Sequence, residues 1–129
     1  MPGRDEVTGV IVDAAYRLHT RIGPGLLENV YEAILAKMLA ERGLEVERQK
    51  PVSFVIDGIR FQDGFRVDLL VAQRIVVEIK AIQKLAPVHS KQLLSYLRLM
   101  DLQVGLLINF GEDRLKDGLH RVVNRYRPE

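Results

Sequence analysis

Asp63-Gly64-Phe65-Arg66-Val67-Asp68-Leu69-Leu70-Val71-Ala72-Gln73-Arg74-Ile75-Val76-Val77-Glu78-Ile79-Lys80 is the stretch whose reading decides the fold. It is rich in β-branched and aliphatic residues, broken once by polar Gln73 and Arg74, and so predicts two strands and a tight turn. Side chains alternate faces along a strand. In the first strand Val67, Leu69 and Val71 fall on one face, with Arg66, Asp68 and Leu70 on the other. In the second, Ile75, Val77 and Ile79 oppose Val76, Glu78 and Lys80. Folding about Gln73 sets Asp68 opposite Glu78, with Lys80 two residues beyond on the same side. The aliphatic faces then coincide as a core-facing surface.

Paired acids of this kind need compensation. Carboxylates directly across two strands have Cβ atoms about 4.5–5.5 Å apart and repel. They also raise one another's pKa unless a cation holds both ionised. A hard divalent ion takes oxygen ligands and commonly uses one or two carboxylates, leaving room for water and phosphate. Metal, carboxylates and a lysine together form equipment for phosphodiester hydrolysis. A second reading stands beside it: Arg66 and Lys80 share the face with Asp68 and Glu78, and the four predict an exposed ion-pair network with no metal.

Working outward, Val7, Val10, Ile11, Ala14, Ala15, Leu18 and Ile22 fall at helical spacing. Gly23-Pro24-Gly25 breaks that helix, and a second runs from about Leu26 to Arg42, capped by Gly43. Leu44–Arg48 and Val52–Ile56 read as two separate strands, the latter ended by Asp57-Gly58. After the central hairpin, a helix over Val88–Met100 and a buried strand over Gln103–Phe110 are expected. Glu112–Val123 reads as weakly helical, with Leu115, Leu119 and Val122 spaced for packing. The order predicts an α/β fold in which helices flank a mixed sheet.

The bulk numbers narrow the functional classes. The chain has 129 residues, 47% hydrophobic and 28% charged, which suits one globular domain spanning 1–129. It has no cysteine, which removes disulfides, thiolate metal sites and cysteine nucleophiles. No segment has the length of a membrane span, and the first residues lack the apolar core of a secretory signal, so no membrane association and a cytoplasmic location are expected. The net charge of +2 permits a nucleic-acid partner without demanding one. Arg114, Lys116, Arg121, Arg125 and Arg127 concentrate the surplus near the end, as a solvated face or a phosphate-contacting one.

A second signature lies upstream. Gly25-Leu26-Leu27-Glu28-Asn29-Val30-Tyr31 reads G-x-x-E-x-x-Y. With it stand His19 before the Gly-Pro-Gly turn, Gln92-Leu93-Leu94-Ser95-Tyr96, Asn109-Phe110-Gly111 and Leu115-Lys116-Asp117-Gly118. In these motifs, from about Val7 to Asn124, the chain resembles the GxxExxY family, a branch assigned to the PD-(D/E)xK nuclease superfamily. The resemblance implies a restriction-endonuclease-like α-β-β-β-α-β core. It implies that Asp68 and Glu78 bind Mg²⁺ or Mn²⁺, with the Ile79 carbonyl as a third ligand and Glu28 as an acid presented from the preceding helix. Lys80 would be the catalytic lysine, and Gln92 and Tyr96 would match the Q-x-x-x-Y element that contacts substrate. The proline of the superfamily's name is absent, Val67 standing before Asp68.

Lys91, Lys84 and Arg98 are placed to add phosphate contacts. His19, should it reach the site, would contact phosphate or fix Glu28; a lone histidine is otherwise structural. The implied activity is a metal-dependent nuclease acting on DNA in preference to RNA, without sequence specificity, and working as a homodimer. The alternative is a catalytically silent nucleic-acid-binding or assembly module on the same fold.

Overall fold

The computed structural model describes residues 2–125. Two helices come first, α1 (Arg4–Ile22) and α2 (Glu28–Glu41). Three strands follow, β1 (Val46–Ile56), β2 (Ile59–Val71) and β3 (Ile75–Lys80). Then come α3 (Pro87–Met100), β4 (Val104–Asn109), the short α4 (Leu115–Gly118) and β5 (Leu119–Val123). The strands form one sheet in the order β1-β2-β3-β4-β5. Only β3 and β4 run parallel, as the helical crossover through α3 between them requires.

The apolar stripes dictate the layers. Val7, Ile11, Ala14, Ala15 and Leu18 of α1 and Tyr31, Leu35 and Leu39 of α2 bury against Leu69, Val71, Ile75, Val77 and Ile79 on one face of the sheet. Leu93 and Leu97 of α3 bury against Val67, Leu70, Val76 and Leu107 on the other. This is the mixed sheet flanked by helices expected of a restriction-endonuclease-like fold. No helix among the described residues is long and apolar enough to cross a membrane.

Three local expectations need correction. The two segments read as separate strands before the hairpin are one strand, β1, running through Gln49 and Lys50. The segment read as weakly helical after Glu112 holds only the short α4; its latter part is β5, antiparallel to β4. Leu115, Leu119 and Val122 suit a helical stripe by spacing. The exposed edge of β4 nevertheless offers a row of backbone partners to whatever follows, and pairing there outweighs a weak helical pattern. Third, Val67 does not share a face with Leu69 and Val71; it packs under α3 with Leu70. The β1–β2 ladder pairs Arg48 with Leu69 and Lys50 with Val67 but skips the pair between them, Gln49 and Asp68. Gln49 has φ +50°, and the ribbon turns over at this point.

Beyond Val67 the β1–β2 ribbon extends past the short β3 to a hairpin turn at Asp57-Gly58. One of its faces carries a run of rings: Phe61 beside Phe54 at 5.2 Å, Phe54 beside Phe65 at 5.6 Å, and Phe65 stacked on Tyr96 of α3 at 4.0 Å. The ribbon is thereby docked on the helix.

The other end of β3 is held by Asn109, which is fully buried. Its Nδ2 donates to the Ile82 carbonyl (2.9 Å), and its Oδ1 accepts from Ile82 N–H and Gly111 N–H (both 3.0 Å). Phe110 N–H donates to the Lys80 carbonyl at 2.8 Å. The chain leaving Lys80 is thus clamped to the end of β4. Gly111 sits so close that a Cβ there would overlap the Ile82 carbonyl. Gly111→Ala is expected to destabilise the protein by about 1–3 kcal/mol, because backbone rather than a flexible side chain must move. Chemical denaturation of the two proteins checks this, and equal midpoints would refute the clamp.

Candidate active site

The β2–β3 ladder runs from Val71 opposite Ile75 to Leu69 opposite Val77 and stops there. The next positions are Asp68 and Glu78, which the same register places face to face. Their side chains take over from the ladder. Asp68 N–H donates to Glu78 Oε2 at 2.7 Å, and Ile79 N–H donates to Asp68 Oδ2 at 2.8 Å. Each carboxylate is tied to the backbone of the opposite strand, a charge-assisted arrangement that offsets the repulsion between the two acids.

Glu78 is only 6% exposed. Burial pushes its carboxyl up to about 8, and the neighbouring Asp68 charge adds to the rise; the Asp68 amide and Lys80 pull it back. Near neutral pH the group therefore carries a proton for much of the time, until a cation arrives to favour the ionised form.

Lys80 is half-buried on the same strand and, among the described residues, forms no salt bridge. Arg66 is exposed and makes none either. The four-residue ion-pair network allowed by the sequence is therefore not formed. Lys80 instead acts at longer range, lowering the Glu78 pKa and that of Glu28.

Glu28 opens α2 because the preceding turn is locked. Tyr31 Oη donates to the Gly23 carbonyl at 2.6 Å and accepts from Leu26 N–H at 3.2 Å. Gly25, at φ +113°, supplies a conformation other residues rarely adopt. The Tyr31 ring stacks on Phe110 at 4.6 Å, which ties the turn to the end of β4. Burial raises the Glu28 pKa, Lys80 opposes the rise, and Asp68 and Glu32 add to it. Glu28 therefore feels both members of the hairpin site. Among the described residues, however, no three histidine, cysteine or acidic side chains form a metal-holding group, so Glu28 stands beside the pair without completing a cage.

The substrate-side residues divide. The Tyr96 phenol is raised by burial and then by the charges of Glu78 and Asp68, so it lies within electrostatic reach of the carboxylates. Gln92, one turn earlier on α3, and Lys91 are exposed. His19 departs from the expectation that it would contact phosphate or fix Glu28. It is 8% exposed and its Nε2 bonds the Glu112 carbonyl at 2.8 Å. Its ring lies 6.3 Å from Phe110, so it joins α1 to the loop after β4. Among the terminal basic residues, Arg121 contacts Asp5 at 3.4 Å, and Arg127 lies outside the described residues.

Two residues unmarked by sequence reasoning belong to the site. Glu32, 4% exposed on α2, accepts from Arg48 Nε (3.1 Å) and from Gln49 Nε2 (2.6 Å). Gln49 Nε2 also donates to Asp68 Oδ1 at 3.2 Å. The available signal was Glu32 one turn after Glu28, a second acid on the same helical face. Nothing local marked Gln49.

A mixed sheet whose second and third strands bring two acids and a lysine together at an opened ladder defines the class of metal-assisted phosphodiesterase folds. The chain belongs to the PD-(D/E)XK nuclease superfamily, whose family model matches residues 5–122. No curated protein and no solved structure matches it.

Members of this superfamily generally use divalent metal ions. The residues here fit one. Glu78 Oε1 carries no hydrogen bond among the described residues, and Asp68 and Glu78 are hard oxygen donors. Within an extended strand the N–H and C=O of one residue point to the same side. The Ile79 carbonyl therefore points, like its N–H, toward Asp68.

The raised Glu78 pKa makes a prediction with a definite sign. Its folded value of about 8 lies above the ordinary 4.5, so the native state binds more protons than the unfolded one between these limits. The metal-free protein should lose stability from this group as pH rises through that window. Glu78→Gln should flatten the slope. Thermal melts of both proteins from pH 5 to 8.5 in chelator test it, and parallel slopes would remove Glu78 as the cause.

Proposed function

We propose that this protein is a Mg²⁺- or Mn²⁺-dependent nuclease that hydrolyses phosphodiester bonds in nucleic acid, DNA in preference to RNA. The observation that carries the reading is the opened hairpin. Two carboxylates stand face to face with their backbone bonds crossed, and Lys80, which forms no salt bridge among the described residues, follows on the same strand. A structural ion pair would have consumed that lysine. The G-x-x-E-x-x-Y motif supports the finer placing in the GxxExxY branch, since its glycine and tyrosine form the turn that delivers Glu28.

Asp68, Glu78 and the Ile79 carbonyl would hold the ion, with Glu28 reaching it through water. When bound, such an ion polarises the phosphate and acidifies a water. The chain's own side chains do the rest. Lys80 Nζ orients the attacking water and neutralises charge that develops on the phosphate oxygens, an effect strengthened by its half-buried position. Tyr96, held flat against Phe65, presents its hydroxyl beside the carboxylates, and Gln92 and Lys91 reach the flanking phosphates. Contacts of this kind, made to phosphates, select backbone and shape rather than sequence. Pairing with a second copy would let two such sites address both strands of a duplex.

Asp68→Asn is expected to abolish Mn²⁺ binding by calorimetry and, with it, cleavage of linear, single-stranded and branched DNA. Lys80→Ala should leave Mn²⁺ affinity nearly unchanged while lowering the cleavage rate by about 10²-fold or more, as loss of a group acting on developing charge does. Metal binding without cleavage of any of these, or of RNA, by the wild type would instead establish a silent binding module. Wild-type protein that takes up no Mn²⁺, alone or with non-cleavable DNA, would end the nuclease reading.

A further inference from the structure

Gln49 occupies a peculiar place in β1. It is a non-glycine residue at φ +50°, a conformation that costs an L-residue roughly 1–2 kcal/mol. It falls at the one skipped position between the Arg48–Leu69 and Lys50–Val67 pairs, so neither Gln49 nor Asp68 is held there by the ordinary ladder. The β2–β3 ladder also ends one residue short of Asp68. Asp68 is therefore a metal-facing acid on a stretch of backbone whose regular pairing is missing on both sides. Hydrogen bonds other than those of the regular ladder must aim its carboxylate.

The side chain of Gln49 is built for that. Its Nε2 carries two hydrogens and no acceptor, and it meets two carboxylates, Glu32 Oε1 at 2.6 Å and Asp68 Oδ1 at 3.2 Å. A carboxylate only accepts, so the amide nitrogen and not the amide oxygen must face both of them, which leaves one satisfactory orientation. Glu32 is itself immobilised, since Arg48 Nε and Nη2 both reach its Oε2, at 3.1 and 3.0 Å. Arg48, Glu32, Gln49 and Asp68 thus form a chain from an ion pair between exposed Arg48 of β1 and buried Glu32 of α2 to the site. Asp68 Oδ2 is fixed separately by Ile79 N–H. One oxygen is aimed by β3 and the other by Gln49.

We propose that Gln49 is a positioning residue that orients the Asp68 carboxylate for the cation, with Glu32 as the fixed anchor that decides which way its amide faces. This rests on the reading of Asp68 as a metal ligand. Residues that orient a ligand typically change metal affinity by 10–100-fold when removed. The left-handed backbone at Gln49 belongs to the same device, because it turns the side chain toward α2 and Asp68 where the ribbon rolls over.

The test is calorimetric titration of Mn²⁺ into wild type, Gln49→Met, Asp68→Asn and Ile11→Val, with thermal melts of each. Methionine matches the length of glutamine without its donors, and Ile11→Val weakens the core far from the site. Gln49→Met should bind Mn²⁺ about tenfold more weakly. It should also raise the Mn²⁺ needed for half-maximal cleavage by that factor, with the rate at saturating Mn²⁺ near wild type. Ile11→Val should lower the melting temperature and leave affinity alone. Wild-type affinity in Gln49→Met, with binding lost in Asp68→Asn, would overturn the positioning role and leave the metal site standing. Binding retained in Asp68→Asn would overturn the metal site itself, and the positioning role with it. An equal loss of affinity in Ile11→Val would reduce Gln49 to a contributor to stability and overturn the proposal. If Gln49→Met does not fold, Gln49→Asn replaces it. Asparagine tolerates the left-handed backbone but is one methylene too short to span both carboxylates, and the same outcomes decide.

Discussion

Where β2 and β3 would exchange their next pair of backbone hydrogen bonds, Asp68 and Glu78 exchange carboxylate–amide bonds instead. Two acids brought face to face in a nearly buried position would push the strands apart. Crossed bonding to the opposite backbone keeps them together in the absence of a cation while leaving Glu78 Oε1 without a hydrogen bond among the described residues. Burial, and after it the Asp68 charge, still hold the Glu78 carboxyl above its ordinary range. The molecule thus stores an electrostatic demand at one point on the hairpin, and on the proposed function a divalent ion is the partner that would meet it.

Much of the remaining structure serves to hold that point still. Asn109 and Gly111 fasten the chain just after Lys80 to the end of β4. Tyr31 locks the turn that starts α2 and stacks on Phe110, next in sequence to Asn109. His19 reaches the same loop from α1 through the Glu112 carbonyl. These are the residues that stood out as motifs in the sequence. Their work is mechanical, since they fix the ends of three elements against one another and so bring Glu28 and Lys80 within electrostatic reach of the two acids.

The opposite face supplies a different surface. Leu93 and Leu97 anchor α3 on the sheet, and this turns Tyr96 toward Phe65 and the carboxylates. Gln92 and Lys91 remain exposed on the same helix. Positive charge is modest over the whole chain, so substrate contact on this reading depends on a few placed groups around the site more than on a broad basic field.

The Asp68–Glu78 pairing was legible because period-two alternation and a turn centred on Gln73 leave one register for the hairpin. The helices were legible for a similar reason, their stripes being local and strong. The face of Val67 was not legible, because the alternation of β2 alone puts it with Leu69 and Val71, and the break comes at the skipped pair where Gln49 of another strand is left-handed. β5 was hidden because the spacing of Leu115, Leu119 and Val122 suits a helix, and only the open edge of β4 selects a strand. The bond between His19 and the Glu112 carbonyl and the bridge from Glu32 through Gln49 to Asp68 both join residues far apart in the chain. By itself, then, the sequence determined which residues alternate, where the chain must turn and which acids face each other, since those follow from short-range periodicity. Tertiary structure alone decided which polar groups satisfy one another, because a hydrogen bond is settled by the approach of two surfaces and leaves no period along the chain.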